Sequence, residues 1–169
     1  MVKSLIIYFS REGENYVNGD LKNLEKGNTE IIVDYIKEFI EADAFKVETK
    51  NPYPESYMET TEIAKKELKN KICPELKNLL FDISKYDTIY IASPVWWETL
   101  PRAMFTQLKN LDFENKTVKL VVTHEGSMLG NVMKDIKKLC KGADIKEGLS
   151  IKGSEVANAK YEVKNWLYY

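Results

Sequence analysis

A chain of 169 residues, 44% of them hydrophobic, is expected to form one domain over residues 1–169 that buries roughly 70% of its unfolded surface without a disulfide or metal staple. Its 25 basic and 26 acidic residues leave a net charge of −1, which offers no field for nucleic acid or an anionic membrane surface. The chain does not open on a charged segment followed by an apolar one, and no run of about eighteen apolar residues occurs, so no membrane partner and a cytoplasmic location are expected.

Ser4-Leu5-Ile6-Ile7-Tyr8-Phe9 is a short apolar run rich in branched side chains and reads as the first strand. Gly27-Asn28-Thr29 then opens a helix that carries Ile31, Ile32, Tyr35, Ile36, Phe39 and Ile40 on one face. Ala44 to Thr49 alternates Phe45, Val47 and Thr49 as a weaker second strand. Pro52 and Pro54 break the chain before a charged helix from Glu55 to Asn70, whose thin stripe of Ile63, Ala64 and Leu68 predicts half exposure.

Thr88-Ile89-Tyr90-Ile91-Ala92, closed by Ser93-Pro94, is the third strand, and Pro101 suits the first residue of a helix with Met104, Phe105, Leu108 and Leu111. Thr117 to Thr123 forms the fourth strand, followed by a helix from Leu129 to Cys140. A fifth strand around Ile145 to Ile151 leads to a last helix with Val156, Ala159, Val163 and Trp166, for which Ser154 is the expected N-cap. Cys140 lies on the apolar face of its helix and reads as core, and Cys73 lacks any partner spacing for zinc or redox exchange.

Strands alternating with helices predict an α/β protein. The common solution is a three-layer α/β/α sandwich around a five-stranded parallel sheet in the order 2-1-3-4-5. In that order the loops after strands one and three face each other across a crevice at the carboxyl edge, where ligands bind. Those loops begin at Ser10 and at Ser93-Pro94-Val95-Trp96-Trp97, and the loop after strand four, Thr123-His124-Glu125-Gly126-Ser127, borders the same cleft.

Two adjacent indoles at such an edge suit a flat aromatic ligand, for which a flavin is the first candidate. Neighbouring residues of an extended chain point to opposite sides, so one of Trp96 and Trp97 is expected on the ring face and the other beneath it or at its rim. At the other end of the crevice, unpaired backbone N–H groups at the start of the first helix favour an anion, with Ser10, Asn28 and Thr29 as further donors. The alternative for Asn28 and Thr29 is simple helix capping.

On these residues the chain resembles the flavodoxin-like proteins, in particular a bacterial subgroup described as flavodoxin-like flavoproteins. The resemblance is carried by Tyr8-Phe9-Ser10-Arg11 with Gly27-Asn28-Thr29, by Asn51-Pro52-Tyr53-Pro54, by Ser93-Pro94-Val95-Trp96-Trp97 with Leu100-Pro101, and by Thr123-His124-Glu125-Gly126-Ser127 with Gly130-Asn131. It implies an FMN site with phosphate contacts at Ser10, Asn28 and Thr29. It implies ring contacts at Pro94, Val95, Trp96, Trp97, His124, Glu125 and Gly126. Either His124, as a proton donor or cation, or Glu125, as an opposing carboxylate, would then tune the ring.

One stretch departs from the short flavodoxin pattern: Glu12 to Lys26 separates Ser10 from Gly27, and a connection of that length is more often functional than idle. It is expected either to fold over the phosphate or ribityl chain or to shape a substrate or partner pocket. Rival classes lack their signatures, since neither G-x-G-x-x-G, G-x-x-x-x-G-K-[ST] nor G-x-S-x-G occurs, and Ser10 and Ser93 stand where a phosphoreceiver needs acids. Two functions follow: an FMN electron carrier serving a redox partner protein, or an NAD(P)H-dependent quinone or related two-electron reductase, as a monomer or homodimer.

Overall fold

The computed structural model describes residues 1–169. Its main sheet contains β1 (Ser4–Tyr8), β4 (Asp43–Lys46), β5 (Thr88–Pro94), β6 (Thr117–His124), β7 (Asp144–Ile145) and β8 (Leu149–Lys152), while β2 (Gly13–Val17) and β3 (Asp20–Leu24) form a separate hairpin. All pairings in the main sheet are parallel, in the order β4-β1-β5-β6, with β7 and β8 both on the outer edge of β6. The helices are α1 (Asn28–Phe39), α2 (Tyr57–Lys69), α3 (Arg102–Leu108), α4 (Val132–Leu139) and α5 (Lys160–Tyr168).

The alternation along each central strand explains the layers, because successive side chains of a strand face opposite sides. Leu5, Ile7, Ile89, Ile91, Val118 and Leu120 pack with Met104 and Leu108 of α3 and with Val132 and Ile136 of α4. Ile6, Tyr8, Tyr90, Ala92 and Val121 pack with Ile32 and Ile36 of α1 and with Val163 and Leu167 of α5. The result is the expected flavodoxin-like α/β/α sandwich. No helix is long and apolar enough to cross a membrane.

Cys140 joins the first core face, and burial pushes its thiol up to about 12. Lys119 interrupts the apolar pattern of β6, yet its Nζ donates to the carbonyls of Trp166 and Leu167 at 2.7 and 3.0 Å, capping the last turn of α5.

Some details differ from the sequence reading. The fifth strand is split: Val118 pairs with Ile145 but Val121 pairs with Leu149, so one extra residue on the edge strand interrupts the ladder. The second strand ends at Lys46, opposite the last residue of β1, and after Val47 N–H donates to Tyr8 O at 2.7 Å the chain turns to an antiparallel bridge between Thr49 and Leu76.

The charged helix begins at Tyr57 rather than Glu55, with Ser56 Oγ accepting the Glu59 N–H at 3.3 Å as its cap. Ser154 caps nothing; it lies inside a 3₁₀ helix, Gly153–Asn158. Buried Gly153, Val156 and Ala159 recur every three residues, the period of a 3₁₀ turn, before the spacing Val163–Leu167 restores an α-helix.

The stretch Glu12 to Lys26 is an antiparallel hairpin with a two-residue turn. Asn18 and Gly19 have φ of 51° and 89°, the left-handed pair that a type I′ hairpin turn requires.

Candidate functional site

A cleft of about 700 Å³ opens at the carboxyl edge of β1, β5 and β6. One end is the start of α1. Gly27 passes so close to the exit of β1 that a Cβ there would lie 2.6 Å from the Arg11 carbonyl and would collide with Ser10 Oγ. That approach lets Ser10 Oγ accept the Glu30 N–H at 3.1 Å, which caps the helix from a different segment of the chain. Ile31 N–H already bonds Gly27 O, so the amides of Asn28 and Thr29 are the ones that helix geometry leaves free. Asn28 and Thr29 line the cleft, with Thr29 Oγ1 2.8 Å from Thr123 Oγ1, whereas Ser10 stands behind them and outside the lining.

The loop after β5 forms the other end, lined by Pro94, Val95, Trp96 and Trp97. Trp96 and Thr99 exchange backbone hydrogen bonds of 2.9 and 3.2 Å around a second type I′ turn, in which Trp97 and Glu98 have φ of 51° and 64°. Left-handed backbone costs non-glycine residues on the order of 1–2 kcal/mol each, so other contacts must hold this turn.

Those contacts come from the loop after β6 and from α4. Asn131 N–H donates to Glu98 O at 2.7 Å, and Gly130 lies so close that a Cβ there would approach this carbonyl to 2.7 Å. Thr99 Oγ1 donates to Asp135. The central peptide, Trp97 C=O and Glu98 N–H, keeps no backbone partner.

The two indoles separate as expected, but the turn parts them rather than strand alternation, since Trp97 is in left-handed and not extended backbone. Trp96 packs edge-on against Phe9 and Tyr53, with ring centroids 5.1 and 5.3 Å away. Tyr53 in turn donates to Glu67 Oε1 at 2.7 Å, and burial raises the Glu67 pKa. Trp97 is 47% exposed, donates from Nε1 to Thr61 O at 3.0 Å, and lies under the Lys65 ammonium.

His124, Glu125 and Gly126 complete the wall. His124 is 8% exposed and its Nδ1 accepts the Gly126 N–H at 2.9 Å, which places the proton of the neutral ring on Nε2. Burial lowers its pKa, outweighing the opposite pull of Glu125 and Glu155, so the neutral ring is the resting form. A depressed folded pKa means that the contribution of His124 to stability is complete above the ordinary value of 6.5 and is lost as pH falls. As His124 is the only histidine, the single imidazole signal in a proton NMR titration should show a midpoint below 6.5; a midpoint above it would contradict the buried, neutral geometry.

Glu125 Oε2 accepts the Asn18 N–H of the hairpin tip at 3.0 Å. The hairpin supplies part of the wall, as a pocket-shaping role for Glu12 to Lys26 would require, and α2 supplies a part that the sequence reading did not assign. Arg11 donates to the carbonyls of Glu14, Pro54 and Glu55, and Glu14 Oε1 accepts the Tyr57 N–H at 2.9 Å. Tyr16 and Tyr57 stack with centroids 6.1 Å apart and planes at 21°. Asn18-Gly19 between polar strands was the available signal for this element.

A family model described as Flavodoxin matches residues 23–168. Among solved structures, a protein from Bacteroides uniformis, provisionally named a flavoprotein, superposes with a TM-score of 0.76 at 23% identity, covering 99% of each chain. A Lactobacillus acidophilus flavoprotein in complex with FMN gives 0.61 at 22% identity over 94% of this chain and 98% of its own. Oxidised Flavodoxin 2 from Bacillus cereus gives 0.52 at 20% identity, covering 99% of each. No curated protein matches significantly. These identities speak for the shared fold, whereas the family match spans most of the sequence, and on that ground the chain belongs to the flavodoxin family.

Proposed function

We propose that this chain binds FMN in the cleft and works as an electron carrier. The observation that carries the proposal is the pairing of an open helix start, with free amides at Asn28 and Thr29, with an exposed indole, Trp97, on a clamped turn across the same 700 Å³ space. The fit to the group is specific. Asn28 and Thr29 offer N–H donors to a phosphate, aided by the helix dipole, while Ser10 acts by fixing the helix start. Pro94, Val95, Trp97, His124 and Gly126 surround the space for the ring, and Trp96 supports the loop from beneath.

Bound FMN supplies reversible one- or two-electron chemistry. The chain's own residues then decide access and proton supply: the Trp97–Glu98 peptide is free to hydrogen-bond at the ring edge, and His124 Nε2–H is a neutral donor rather than a cation. The relative from Lactobacillus acidophilus with FMN bound supports the cofactor reading at the level of fold.

A second reading, an NAD(P)H-dependent quinone or related reductase, draws on the continuation of the cleft along α2 to Tyr16, Tyr57 and Met58, which offers room for another planar molecule. FMN titration should quench flavin emission and release heat; absence of both ends the cofactor proposal. Anaerobic photoreduction of the loaded protein should then yield a stable radical by electron paramagnetic resonance. Rapid NAD(P)H oxidation with a quinone and no radical would select the reductase instead.

A further inference from the structure

Glu125 carries the one buried side-chain polar atom of the chain that has no hydrogen-bond partner, its Oε1. Its other oxygen is engaged by the Asn18 amide, so the carboxylate is held in place while Oε1 stays unserved. Buried acceptors are almost always paired, and an exception inside a cleft calls for a donor that arrives with a ligand.

The surroundings are built for this placement. Asn28 Nδ2 lies within 2.7 Å of the point where a Cβ on Gly153 would stand, and the same Cβ would collide with Glu125 Oε1, so only glycine leaves room for the carboxylate beside Asn28. The field of Glu125 also reaches Tyr57 on the opposite wall, where it adds to burial in raising the phenol pKa.

The donor can be identified by elimination, resting on the FMN reading above. A phosphate dianion brings acceptors and like charge, which a carboxylate rejects. A flavin ring edge carries one N–H, but on the FMN reading the ring lies beside Trp97, whereas Oε1 stands beside Asn28 at the phosphate end. A polyol chain brings several hydroxyl donors and joins the two ends. We propose that Glu125 is a specificity-determining residue that accepts a hydrogen bond from a hydroxyl of the ribityl chain, so that the cleft distinguishes a polyol-bearing flavin from the bare ring.

The test compares dissociation constants of lumiflavin, riboflavin and FMN by fluorescence quenching for the unaltered protein, E125A and G153A, with circular dichroism confirming the fold of each. E125A should weaken riboflavin and FMN by about tenfold or more, the effect of a hydrogen bond to a charged group, while lumiflavin changes less than about twofold. G153A, at a position where the backbone admits alanine, should show the same pattern by pushing Oε1 aside. Equal loss on lumiflavin, or tighter FMN with riboflavin unchanged, would overturn the assignment, the latter by showing that the carboxylate merely opposes the phosphate. If the unaltered protein binds none of the three, the FMN reading itself fails.

Discussion

Trp96→Ala is expected to lower the stability of the protein by about 3 kcal/mol, whereas Trp97→Ala should cost under about 1 kcal/mol and instead weaken FMN by roughly 2 kcal/mol, or on the order of thirtyfold in Kd. The two residues are neighbours with opposite tasks. Trp96 meets Phe9 and Tyr53 at interplanar angles of 82° and 80°, and it packs against the core face made by α3 and α4. Removing it strips the edge-on contacts with both rings and leaves a gap against that core face, which adds to the lost burial.

Replacing Trp97 loses a half-exposed indole, one hydrogen bond to Thr61 O and the exposed contact with the Lys65 ammonium, so the folded state hardly depends on it. Urea unfolding of each variant and FMN titration of each separate the two effects. A Trp97 variant as unstable as the Trp96 variant, with unchanged FMN affinity, would contradict the division.

Gly130→Ala is the second large effect, with an expected stability loss of about 2 kcal/mol and at least about tenfold weaker FMN binding. Gly130 has φ of 49°, and an added Cβ would press to 2.7 Å on the Glu98 carbonyl, which is backbone and cannot swing away. The Asn131–Glu98 hydrogen bond would break, and the left-handed pair Trp97–Glu98 would lose the clamp that offsets its strain. Gly142→Ala is the control. It has φ of 82° but follows the C-terminal end of α4 and lies beside Glu114, before β6 and at the opposite edge of the sheet from the cleft, so it should cost stability through backbone strain with FMN affinity unchanged. Thermal melting and flavin titration of both variants check the contrast, and equal flavin affinity in both would refute the clamp.

How legible the fold was depended on how local its causes are. β1, β5 and β6 announced themselves because each buried strand must show apolar side chains to two helix layers, a demand that every residue of Leu5–Ile7 and Ile89–Ala92 meets by itself. The cleft followed from strand order, since parallel strands end on one edge and carry their loops there. The hairpin escaped for the opposite reason: Asp20, Leu21, Lys22 and Asn23 are all exposed, so no core demand marks β3, and only the Asn18-Gly19 turn signalled it.

By itself, then, the sequence determined the alternation of strands and helices and the loops where the unusual residues gather, because periodicity and turn chemistry act between near neighbours, while the strand order was the common solution for such a pattern. Tertiary structure alone decided which indole stays exposed and which packs on Phe9 and Tyr53, which nitrogen of His124 bears the proton, and that Glu125 meets Asn18 from 107 residues away. Those outcomes depend on loops from distant segments excluding water together, and no local pattern encodes the direction in which a side chain turns once that water is gone.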